Sequence, residues 1–201
     1  MNGIKRTLLL SSLFCVTGCR QSTNEPSRTI LEGTWGSACL PVAIAGTSTS
    51  SSRILYIFND DHRVVRSLMG FGDASCQDPA SNLSHEGIYS LGVRTEVSLF
   101  NVDMIFTAVS ATPKTEATVA LWNTTGFCGQ SHWALDESLS ILGQGGDACL
   151  SFGVSTIEYR DVVEVHSYES LVFGGTLNHL VPRPSAAEPF IADHVFSLIS
   201  P

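Results

Sequence analysis

The chain has 201 residues, 43% hydrophobic and 15% charged, with a formal net charge of −8. That is the composition of a folded domain of ordinary size and not of a disordered chain. The acidic balance, with no basic cluster, excludes the phosphate neutralisation on which nucleic-acid binding rests, and it disfavours electrostatic attachment to anionic lipids.

In chain order, the first feature is a leader. Lys5 and Arg6 precede an apolar run over residues 8–16, and a small residue stands at the end of it, which is the layout of an export signal. Without the leader's two bases, nine basic residues face nineteen acidic ones, a formal −10. The stretch Val16-Thr17-Gly18-Cys19 resembles the lipobox of bacterial lipoproteins. The resemblance implies cleavage before Cys19 and lipidation of its thiol, hence a membrane anchor at the N-terminus. Several acyl chains, each contributing about 0.8 kcal/mol per buried methylene, make such an anchor effectively permanent. Arg20 stands where an Asp would retain an enteric lipoprotein in the inner membrane, so the implied location is the outer membrane of a bacterial envelope. Residues 20–29, polar and containing Pro26, read as a tether. The expected organisation is therefore a leader over 1–18, a tether over 19–29 and one domain over 30–201.

Within the domain, residues 33–39 read as a first strand with Trp35 and Ser37 on one face. Residues 53–58 and 63–69 form a hairpin around the turn residues Asn59-Asp60-Asp61-His62. Residues 85–91 and 97–108 read as two further strands, the second with Phe100, Val102, Met104 and Phe106 on one face. Thr112 before Pro113 is a helix-start signal. It predicts one helix ending at residues 123–126 and a second, over 133–142, carrying Trp133, Leu135, Leu139 and Leu142. Strands resume over 154–159, 162–168 and 170–174, with a closing strand over 191–198. Short strands at regular spacing with a mid-chain helical insertion predict a mainly β fold, an antiparallel barrel or sandwich, and closure into a barrel would remove the exposed edges.

Six cysteines are present. With Cys15 in the leader and Cys19 lipidated, Cys39, Cys76, Cys128 and Cys149 remain, an even set that suggests two disulfides in an exported chain. Three connectivities are open. Cys39–Cys76 and Cys128–Cys149 are preferred because each brackets one supersecondary unit.

The ordered set Gly33-x-Trp35, Cys39, Cys76, Gly87-Ile88-Tyr89 and Phe127-Cys128-Gly129…Trp133 resembles bacterial lipocalin-like lipoproteins. It implies a lipocalin-like β-barrel. Trp35, Phe100, Met104 and Phe106 are the candidates to line a cavity for a small apolar ligand or lipid. They are equally the residues that would fill the barrel as core, leaving a structural or surface-interaction protein with a macromolecular partner. The six histidines show no metal-binding spacing. Asp60-Asp61-His62 is turn chemistry, and no nucleophile, phosphate-binding or zinc-hydrolase motif is present. No enzyme activity, cofactor or metal is expected.

Overall fold

Residues 54–58 are apolar on both faces, which predicts a strand covered on both sides. The computed structural model pairs this strand with residues 63–71 residue for residue from Ser51↔Phe71 to Phe58↔Val64, with alternate residues fully and partly buried. The structure describes residues 29–41, 49–94, 98–144, 154–167, 169–174 and 195–200. Its strands are β1 (Gly33–Ser37), β2 (Ser51–Phe58), β3 (Arg63–Phe71), β4 (Pro79–Arg94), β5 (Leu99–Pro113), β6 (Leu139–Ser140), β7 (Ile157–Ser167), β8 (Ser170–Phe173) and β9 (Val195–Ser200). All but β6 close into an eight-stranded antiparallel barrel. Each strand pairs with the next in the order β1, β2, β3, β4, β5, β7, β8, β9, and β9 returns to β1 with Trp35 opposite Leu198. The fold is mainly β, a closed antiparallel barrel with a short helical insertion, which agrees with the strand spacing and with the lipocalin-like barrel that the resemblance implies.

Alternation puts Ile54, Tyr56 and Phe58 of β2, Met104 and Phe106 of β5, and Phe173 and Phe196 of β8 and β9 inside. The long β4–β5 hairpin changes phase part-way. Gly87 faces Phe106 while Glu86 faces Ala108, so Thr107 is an extra residue, and the buried positions of β5 shift from Val102, Met104 and Phe106 to Val109 and Ala111. Gly87 is required at this bulge, because a Cβ there would lie 2.0 Å from the Ile105 carbonyl oxygen.

The helical insertion differs from the sequence expectation. Thr112 and Pro113 do not start a helix; they end β5, opposite Asn82 and Ser81, and Lys114 extends the ladder by donating to the Ala80 carbonyl. Proline is tolerated at the end of a strand, and pairing with β4 outweighs the local cap signal. The helix, α1 (Glu116–Thr125), starts three residues later, where the Thr115 hydroxyl accepts the Thr118 N–H at 3.1 Å. It ends at Gly126, which is left-handed at φ 63°. The second expected helix, over 133–142, does not form. That stretch is irregular up to β6, which pairs Leu139 and Ser140 with Ala111 and Ser110 on the edge of β5 that β7 leaves uncovered. The wall takes the backbone hydrogen bonds that a helix would have used.

The expected strands over 154–159 and 162–168 are one continuous strand, β7. The Cys39–Cys76 disulfide forms, with Cα atoms 5.8 Å apart, and ties the end of β1 to the β3–β4 loop. Cys128 is also disulfide-bonded. Its expected partner Cys149 lies outside the described residues, as do Cys19, the leader and the tether up to residue 28.

Candidate functional site

Of the four residues singled out as ligand-lining, Trp35, Met104 and Phe106 are almost completely buried, and Phe100 is partly buried against the same core. Their surroundings are occupied by other side chains. Inside the barrel the Tyr56 ring stacks on Phe58 at 5.6 Å and on Phe173 at 5.0 Å, and Phe196 meets it edge-on at 5.3 Å. Phe106 meets Tyr159 edge-on at 5.4 Å and His85 at 5.5 Å. These are the offset and edge-to-face geometries that aromatic rings adopt when they pack as core.

Described residues pack at both ends of the barrel. At the end where the chain arrives, residues 29–32 form a turn closed by the Glu32 N–H to Thr29 carbonyl bond of 3.1 Å. The turn drives Leu31, fully buried, under Trp35, whose indole N–H donates to the Leu31 carbonyl at 2.7 Å. Tyr89 locks the same end, its hydroxyl 2.7 Å from the Thr29 hydroxyl and donating to the Asn59 carbonyl at 3.2 Å. Trp35 thus closes the base of the barrel. At the other end the insertion adds Trp122, stacked on Phe127 at 4.3 Å and edge-on to Trp133 at 4.6 Å, and all three belong to the same hydrophobic core cluster as the residues inside the barrel. The Asn123 carboxamide holds Trp133 by both backbone groups, accepting its N–H at 2.7 Å and donating to its carbonyl at 2.9 Å.

The interior is not wholly apolar. Arg66, 5% exposed, lies between two tyrosines: its Nε donates to the Tyr56 hydroxyl at 3.2 Å, and its guanidinium carbon is 6.0 Å from the Tyr56 ring centre and 5.7 Å from that of Tyr159. Burial opposes the Arg66 charge, but the two tyrosines outweigh it and its pKa rises. Burial likewise pushes the Tyr56 hydroxyl up to about 12, so it stays protonated beside the guanidinium. His85, 2% exposed, is pushed down to about 3 by burial, with the Arg66 charge adding to the effect, and is therefore neutral. Asp161 of β7 is fully buried and accepts the Val162 N–H at 2.7 Å.

None of these five polar residues was singled out in the sequence as functional. The signal for Arg66 is nonetheless there, since it falls between Val64 and Leu68 on the apolar face of its strand. The group is a buried polar set within the core, with Arg66 as its cation.

On the outside, a cleft of about 280 Å³ runs beside β1 and β2, lined by Glu32, Gly33, Thr34, Ile57, Phe58, Asn59 and Asp60. Among the described residues no three His, Cys, Asp or Glu side chains converge as a metal site, and no helix is long and apolar enough to cross a membrane. Neither the models of known protein families nor the curated proteins match this chain.

Proposed function

We propose that the protein is a lipid-anchored envelope lipoprotein whose barrel is a filled, rigid body held on a tether to contact a macromolecular partner with its outer surface. The observation that supports this above all is the interior: Tyr56, Phe58, Phe173 and Phe196 pack against one another, stacked or edge-on, where a ligand would lie. The alternative reading, a small apolar ligand or lipid inside the barrel, needs Trp35, Met104 and Phe106 as cavity walls. In that position they would have to surrender contacts that each stabilise the fold by roughly 2–3 kcal/mol.

Native mass spectrometry of the protein taken from its host membrane distinguishes the two. The expected spectrum shows the acylated chain without a bound apolar molecule; a stoichiometric lipid that survives desolvation would overturn the filled-barrel reading. The anchor is tested separately. Cys19→Ser is expected to abolish palmitate labelling and to release the protein from membranes, and continued labelling would remove the lipoprotein assignment.

A further inference from the structure

β4 outruns its neighbour. β3 covers it from Pro79 to Ile88, and the Tyr89 N–H to His62 carbonyl bond of 2.9 Å is the last one on that side among the described residues. Beyond it β4 continues to Arg94, held by β5 alone through Leu91 opposite Val102 and Arg94 opposite Phe100. Backbone groups alternate in direction along a strand. Since the Tyr89 N–H points to the β3 side, the Leu91 N–H and carbonyl point there too, where no described strand lies opposite.

Natural sheets protect such an edge with charged residues, proline or a bulge. Residues 89–93 hold no charged residue and no proline, and past Tyr89 the register of the strand shifts only between Leu91 and Arg94. Ser90 and Gly92 are exposed, and next to them Ile88, 55% exposed, pairs across the strands with the exposed Ile105. The border is acidic. Asp60 and Asp61 lie in the adjoining turn and Glu86 on β4, set against Arg63, which is engaged with Asp61 at 3.1 Å, and against Arg94 at the end of the strand.

We propose that this overhanging edge of β4 receives an extended, basic segment of a partner polypeptide as an added strand. The proposal rests on the reading of the barrel as a filled, partner-facing body. The unpaired backbone groups of Leu91 call for an extended peptide, because only that presents a donor and an acceptor at strand spacing. The exposed Ile88 calls for an apolar residue at an alternate position of that peptide, and the acidic border calls for a flanking lysine or arginine.

The test uses the full mature chain and a synthetic peptide of about ten residues, alternating valine with threonine and carrying lysine at both ends. Saturating peptide is expected to slow hydrogen exchange at the Leu91 amide by about tenfold or more. Ser90→Lys, which places a repelling charge at an exposed position of the edge, is expected to abolish the effect, and Ser90→Thr to retain it. Unchanged exchange with the peptide present overturns the proposal. So does a Leu91 amide already protected in the chain alone, whether independently of concentration, which assigns the edge to the chain's own N-terminal segment, or increasingly with concentration, which assigns it to a second copy. A lipid found inside the barrel would overturn the filled-barrel reading without altering exchange at Leu91, so the two failures are separable.

Discussion

Arg66 stands where strand alternation alone assigns a residue to the interior, between Val64 and Leu68. A lone arginine on an apolar face reads from sequence as an irregularity. It becomes intelligible only when β7 brings Tyr159 across the barrel to the ring face that Tyr56 does not supply. His85 belongs to the same interior and gives a measurable consequence. Its folded pKa is lowered by burial to about 3 from an ordinary 6.5, so between those values the unfolded chain binds a proton that the folded protein refuses. The contribution of neutral His85 to stability is complete above about pH 6.5 and is lost as pH falls, by up to about 1.4 kcal/mol per pH unit between about pH 6 and 4. Urea unfolding followed across that range is expected to show this slope in the parent protein and a shallower one in His85→Gln. Equal slopes in the two would place the imidazole in a hydrated setting.

At the scale of elements, strands were legible and the insertion was not. Period-two alternation survives in β2, β3 and the first part of β5 because one face of each is buried and the other is not. The helix signals at Thr112-Pro113 and over 133–142 were overruled by pairing: β5 had free backbone groups beyond β7, and the chain supplied them with β6. Local propensity holds only where no strand edge competes, and that is where α1 forms. What fixes the irregular stretch after α1 is the Asn123 side chain, a contact across ten residues that no periodicity reports. Asn123→Ala leaves both Trp133 backbone groups without a side-chain partner and is expected to cost about 2–3 kcal/mol. The change should appear as a lower urea midpoint together with a red shift of tryptophan emission. Asn123→Asp, which keeps the acceptor and loses the donor, is expected to fall between.

For the whole molecule, closure and crosslinking divide the work of holding the shape. The Cys39–Cys76 bridge spans 37 residues of sequence, and closing a loop of that length stabilises by about 4 kcal/mol through the unfolded chain. The double variant Cys39→Ser, Cys76→Ser is expected to lose stability of that order while retaining its β-sheet circular dichroism, since the ring of strands runs through the wall and not through the sulfurs. Collapse of the sheet signal would show instead that the bridge is what closes the barrel. The candidate site was legible only as a set of buried residues. Trp35, Met104 and Phe106 sit inside as the alternation requires, but whether a barrel is hollow depends on how rings from many strands meet. Those distances are set by a topology that sequence spacing does not encode.

The pairing of β1 with β9 also governs timing. Of the eight wall strands, the one that completes the ring is the last in chain order, and its partner is the first. The two cannot meet until everything between them has been made and brought round, so the wall has an open seam at every earlier stage of synthesis. Contacts this distant in sequence form slowly. On the proposed reading as an exported lipoprotein, that open seam keeps the barrel from locking before its last strand has crossed the membrane.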